Sequence, residues 1–251
     1  MTAEKQPLEF TNVSWLLGVI AAFLVGNNVA PISSYLEHRW PAVALGGIVF
    51  CALILMYREG DSFSLSKLTR LNWLLLTAYL VHQFEEHGVD VFGRIYYFHE
   101  YANAQLAAQG ITLTPLAILK INTISVWMGF LLAVWGGSRY KWPGLAAAGM
   151  TLINAVFHIT MAVANGEYNP GVLTAVVLFL PISIFYFGYV RTAHSVSFWE
   201  IGGGVAFGIA GHAVLPSIIA AGAPMLVLVP MTVLPLVANV AKNALLQERY
   251  G

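Results

Sequence analysis

The segment His82-Gln83-Phe84-Glu85-Glu86-His87 sets four ionisable side chains into six residues, straight after the apolar run Leu74 to Val81. A charge at the centre of a bilayer-length helix costs about 2.5 to 3.5 kcal/mol on insertion scales, so a clustered set there is a functional hypothesis by default. On a helix, side chains three and four apart share a face, which places His82 beside both Glu85 and Glu86. Imidazole and carboxylate without thiolate suit zinc or iron. A divalent cation also lets neighbouring carboxylates stay ionised, where two unpaired ones would not. Because successive residues point about 100° apart around a helix, Glu85 and Glu86 cannot both face one ion. Glu86, on the face of His82 and Tyr79, is the expected metal ligand. Glu85 is expected as general base, as a group behind the ligands, or as ligand to a second metal. The plain alternative is that the cluster lies beyond the helix end in a wet loop.

Two more stretches carry imidazole into apolar sequence. Thr151, Asn154 and His158 fall on one helical face, and His212 stands alone within a seventh apolar run. His158 and His212 are expected to complete the metal ligands with His82 and Glu86, and Asn154 to orient a ligand or substrate from behind them. Taken singly, each histidine could equally make a hydrogen bond across helices.

The elements that must position these residues follow from composition. Of 251 residues, 58% are hydrophobic and only 10% charged, against roughly 25% charged in a soluble domain. That makes the chain an integral membrane protein, all-α and polytopic, a single transmembrane domain over residues 1–251. Net charge is zero and no basic run occurs, which argues against nucleic acid as a partner. The single cysteine, Cys51, cannot form an internal disulfide. Met1 to Asn12 carries Glu4, Lys5 and Glu9 rather than a basic segment and cleavage site, so the reading is of no removable signal peptide.

Spans of about 20 mostly apolar residues are expected near Val13 to Val29, Pro41 to Tyr57, Leu71 to Val91, Leu116 to Trp135, Pro143 to Ala164, Pro170 to Val190, Phe198 to Ala220 and Pro224 to Ala241. The count is about eight, or seven if the last segment, where Pro230 and Pro235 predict a bend, does not span. Arg58, Lys67, Arg70, Arg139, Lys141, Arg191, Lys242 and Arg249 all fall in loops on one side, and Lys and Arg near short loops prefer the cytoplasm. Both termini are therefore expected inside. At 1.5 Å per residue His82 then lies about 16 Å up the third span, and Glu86, His158 and His212 about 21 to 22 Å up their own. The long connection Phe92 to Pro115, with Tyr96, Tyr97, His99, Glu100 and Tyr101, reads as an outer lid or interfacial segment. Tyr168-Asn169-Pro170-Gly171 opens the sixth span, with proline setting its first turn and backbone amides free to face an anion or a polar substrate group. Tyr168 and Thr174 are expected there as catalytic residues with Glu85. Gly26-Asn27-Asn28-Val29-Ala30-Pro31 at the outer end of the first span loosely parallels Gly211-His212-Ala213-Val214-Leu215-Pro216, and if that match is real Asn27 would lie near the same pocket.

Three segments carry a family resemblance: His82-Gln83-Phe84-Glu85-Glu86, Asn154-Ala155-Val156-Phe157-His158 and Tyr168-Asn169-Pro170-Gly171-Val172-Leu173-Thr174. In type and order they resemble the signatures of the HXXEE family, bacterial membrane proteins named for the first motif, over roughly Leu71 to Leu180. The resemblance implies an integral membrane protein of the bacterial inner membrane. Its signature positions would be His82, Glu85, Glu86, Asn154, His158, Tyr168, Pro170, Gly171 and Thr174; it implies no particular reaction. His212 and Asn27 lie outside the signatures.

The expected function is a metal-dependent membrane enzyme acting on a hydrophobic or lipid-like substrate, by zinc-assisted hydrolysis or by iron-type oxidation. The alternatives are a metal-free His/Glu acid-base isomerase and a proton-coupled or ion transporter.

Overall fold

In hydrocarbon every backbone N–H and C=O must be paired within the chain, and for apolar runs of this length without strand alternation that leaves the helix. The structure, a computed structural model, describes residues 13–56, 65–95 and 97–250 and is all-α. Met1 to Asn12, Arg58 and Tyr96, which carried expectations above, lie outside the described residues. Helices α1 (Val13–Asn28), α2 (Ala30–Leu36), α3 (Trp40–Met56), α4 (Lys67–His87) and α5 (Tyr97–Leu106) make up the first part of the chain. They are followed by α6 (Pro115–Gly136), α7 (Lys141–Asn165), α8 (Val172–Ala193), α9 (Phe198–Ala220) and α10 (Met225–Tyr250). A helix occupies each of the eight expected stretches, and α2 and α5 are additional.

Five of these, α6 to α10, are long and apolar enough to cross a membrane, and α1 with α2 makes a sixth if that pair, bent by 86°, is one span. The last segment is among the five, and its helix continues through Pro230 and Pro235. The motif helix α4 has the length, 21 residues, but carries Lys67, Arg70, Glu85 and Glu86 and is not among the apolar spans. Its neighbours bury it instead: Leu75, Leu76, Tyr79, Leu80 and the residues from His82 to His87, Phe84 excepted, are all covered. Packing against α3, α6, α7 and α8 thus keeps the ionisable groups away from lipid. Ser66 caps α4 by accepting from the Thr69 amide at 3.1 Å, which satisfies one of the free N–H groups of the first turn.

Two contacts fix the frame around α4. Helices α7 and α9 touch backbone to backbone where Gly149 meets Gly204, and Gly208 packs on the Gly149 carbonyl. Without side chains there, close approach replaces the hydrophobic drive that lipid does not supply. At the other end of α4, Asn72 donates to the Ala133 carbonyl at 2.7 Å and accepts from the Tyr186 hydroxyl at 2.9 Å, tying α4, α6 and α8 together. The connection after α4 forms helix α5, whose Phe98 packs edge-on against His87 at 4.6 Å between ring centres.

Candidate functional site

Helices α4 and α7 and the turn before α8 bring three side chains to one point. His82, Glu86 and His158 each offer a ligand atom, and these atoms lie within 4.8 Å of one another. His82 Nε2 is 3.6 Å from Glu86 Oε2, and His158 Nε2 is 3.5 Å from Glu86 Oε1. All three residues are buried, and the two imidazoles meet edge to face at 4.8 Å.

Hydrogen bonds behind the rings decide which nitrogen carries the proton. The Thr174 hydroxyl donates to Glu85 Oε2 at 2.5 Å, so its oxygen is left to accept from His82 Nδ1, 2.9 Å away. Asn169 donates its amide N–H to the His158 backbone carbonyl at 2.9 Å, which turns its Oδ1 toward His158 Nδ1 at 2.6 Å as the acceptor. Both rings therefore hold a proton on Nδ1 and turn Nε2 toward the Glu86 carboxylate. His82 Nε2 is buried and has no hydrogen-bond partner. This is the arrangement in which partners behind a metal ligand fix its tautomer.

Glu85 points elsewhere, as its 100° offset from Glu86 requires. It accepts from the Thr174 amide at 2.9 Å, the Leu173 amide at 3.3 Å, the Thr174 hydroxyl at 2.5 Å and the Tyr168 hydroxyl at 2.8 Å. The anion expected at the start of the sixth span is thus the chain's own carboxylate, on the free amides of a helix N-terminus. Helix α8 begins at Val172 rather than Pro170, because Gly171 takes a left-handed φ of 94°. A Cβ on Gly171 would stand 2.6 Å from His82 Cε1 and 3.0 Å from His158 Cε1, so the bare backbone is what lets both rings close in. Tyr168 lies in the turn outside the spans; burial, and then its bond to Glu85, hold its phenol above the ordinary pKa. Glu85, Tyr168 and Thr174, expected as catalytic, are engaged with one another and none lines the adjacent cavity. They hold His82 in place.

That cavity, of about 480 Å³, is lined by Glu86, His87, Tyr79, Asn154, Met150 and Phe157 among mainly apolar side chains from α5, α6, α9 and α10. Asn154 donates to the Tyr79 hydroxyl at 3.1 Å instead of to a histidine. His212, expected as a metal ligand, lines the cavity outside the three-residue group; its Nδ1 is 2.9 Å from the Gly208 carbonyl one turn before, and its ring lies beside Phe157 at 6.3 Å. The depth match brings His212 to the right level, and its own helix turns it aside. Asn27 bonds Thr123 and so ties α1 to α6, away from the cavity. Two residues without an assigned role belong to the site: His87, whose Nε2 is 3.0 Å from Glu86 Oε2, and Asn169 behind His158. His87 could be suspected from its place in the cluster, whereas nothing in the sequence separates Asn169 from an ordinary turn residue.

Comparison with curated proteins and with solved structures gave no match. Residues 73–186, which span α4 to the middle of α8 and hold every residue of the three-residue group, match a family model described as a protein of unknown function with HXXEE motif. Over this region the chain is similar to the HXXEE family.

Proposed function

We propose that the chain is a metal-dependent integral membrane enzyme acting on a hydrophobic or lipid-like substrate, with His82, Glu86 and His158 holding a zinc or iron ion. One observation carries this reading: two imidazole nitrogens and a carboxylate converge within 4.8 Å in a buried place, with both rings turned Nε2-first by bonds at Nδ1. Buried charges are paired or coordinate metals, and a cation held by all three groups would offset the burial of the Glu86 carboxylate. Two imidazoles and one carboxylate also leave coordination positions free, as catalytic zinc sites and non-haem iron sites do. When bound, such an ion supplies Lewis acidity toward a water or carbonyl, or one-electron chemistry if it is iron.

The chain's own side chains supply the rest. Thr174 and Asn169 fix the two rings from behind, and His87 holds Glu86 from the side. With Glu85 occupied, His87 takes the proton-transfer role, because it both bonds Glu86 and faces the cavity. Phe98, Met150 and Phe157 line the cavity and limit water. Loop charges favour both termini in the cytoplasm and, with them, the centre in the outer half of the bilayer; with the family resemblance they support a bacterial inner membrane as the location.

A single proton shared among the same three acceptors would serve a metal-free acid-base isomerase or a proton-coupled transporter. The test is to incubate the purified protein in vesicles of total bacterial lipid, with and without prior chelation, and to compare lipid composition by mass spectrometry. A lipid species consumed only by the metal-loaded protein is expected. An unchanged lipid profile in both samples, or equal conversion by the stripped protein, contradicts the reading.

A further inference from the structure

His212 is the imidazole that the three-residue group leaves unused, and it lines the cavity of about 480 Å³ that also holds Glu86 and His87. A cavity of that volume is of the size of small-molecule sites, about 300 to 1,000 Å³. The direction of His212 follows from its helix. Side chains three, four and seven apart lie on one face of a helix, and Leu215, Pro216 and Ile219, at those intervals after His212, line the same cavity. Val214, two residues on and so across the helix, is exposed on the other side.

The backbone of α9 sets the proton of the ring. Its Nδ1 is 2.9 Å from the Gly208 carbonyl, and a carbonyl oxygen can only accept, so Nδ1 donates. In apolar surroundings the uncharged ring is the favoured form, and its remaining lone pair then sits on Nε2. That nitrogen has no hydrogen-bond partner among the described residues. Unlike His82 Nε2, which is also unpartnered, it is not sealed inside the protein. The ring lies beside Phe157, which offers it no donor. A water bound there would want two to four polar partners, and the wall around it is mainly apolar. A donor carried in on a hydrocarbon body meets both the nitrogen and the wall.

We propose that His212 is a substrate-binding residue of this centre: its Nε2 accepts a hydrogen bond from a hydroxyl or N–H group of an amphiphile whose hydrocarbon body lies in the cavity. A charged group elsewhere on that molecule is compatible with the bond, since an ion at Glu86 would offset it. Calling the molecule a substrate rests on the proposed enzyme reading, while the bond to His212 stands on the cavity alone.

The test titrates the purified, zinc-loaded protein in lipid nanodiscs with dodecanol or dodecyl methyl ether and follows its unfolding temperature. The wild type is compared with His212→Phe, which keeps a flat ring beside Phe157 and has no acceptor. Dodecanol is expected to stabilise the wild type at concentrations about fivefold below those of the ether, which cannot donate, as one net hydrogen bond gives. In His212→Phe the two should act alike, with the zinc content of the wild type. No preference for the alcohol in the wild type, a preference that survives in His212→Phe, or loss of zinc from that variant, which would make His212 a ligand, overturns the proposal. Should His212→Phe fail to fold, the nitrogen-15 resonance of His212 Nε2 in the wild type decides. Dodecanol should move it and the ether should not, and an equal response to both overturns the proposal. A wild type that takes up no zinc removes the enzyme reading, and the comparison of alcohol with ether then still decides what His212 binds.

Discussion

At the level of single residues the proposed centre depends on what stands behind His82 and His158. Thr174 joins the His82 ring to the Glu85 carboxylate by bonds of 2.9 and 2.5 Å, so one hydroxyl sets both the tautomer of His82 and the position of Glu85. Thr174→Val keeps the shape and removes both bonds. Losing such a partner costs about 10- to 100-fold in metal affinity, and titration of the stripped variant with zinc should show a weakening of that size. An unchanged affinity would mean that the Thr174 bond does not orient His82. Helical spacing put both Glu85, three residues on, and Glu86, four on, beside His82; only the fold separates them, turning Glu86 toward His82 and His158 and Glu85 toward Thr174. The bond from Asn169 to His158 was not, because it bridges 11 residues across a turn whose path no periodicity reveals.

Among the elements, the turn before α8 and the contact of α7 with α9 decide whether the helices can meet. Gly171→Ala places a methyl group against both imidazoles and forces a β-carbon into a left-handed φ of 94°. That conformation alone costs of order 1 to 3 kcal/mol, so the variant should unfold at a lower temperature and retain little metal. Gly149→Ala drives a methyl group into the Gly204 backbone, where overpacking costs about 1 to 3 kcal/mol. Gly202→Ala, with open space at its Cβ, should be neutral or stabilising by up to about 1 kcal/mol. Thermal unfolding of the Gly149 and Gly202 variants side by side checks the contact, and equal stability would contradict it. Long helices were readable from apolar length. The π turns Ile121–Trp127 and Ala175–Phe179 were not, since one extra residue per turn leaves an all-apolar run looking the same. Pro170 suggested a helix start two residues early because Gly171, just after it, turns the chain left-handed.

For the whole molecule, the apolar composition announced a helical membrane protein, but length alone did not separate lipid-facing spans from a helix buried by its neighbours, which is the position of α4. The expected inside placement of both termini makes opposite forecasts for two exposed loop residues, Arg139 between α6 and α7 and Glu167 between α7 and α8. In a Cys51→Ala background, Glu167→Cys should react with a membrane-impermeant maleimide on intact cells and Arg139→Cys only after permeabilisation; the reverse pattern would invert the orientation. The centre itself is tested most directly by the metal-to-protein ratio of the purified chain, measured by elemental mass spectrometry beside Glu86→Gln and His158→Ala. One zinc or iron per wild-type chain, and loss of that ion from both folded variants, is the result expected. A wild type without metal, or variants that keep theirs, would contradict an ion held between the two imidazoles and Glu86.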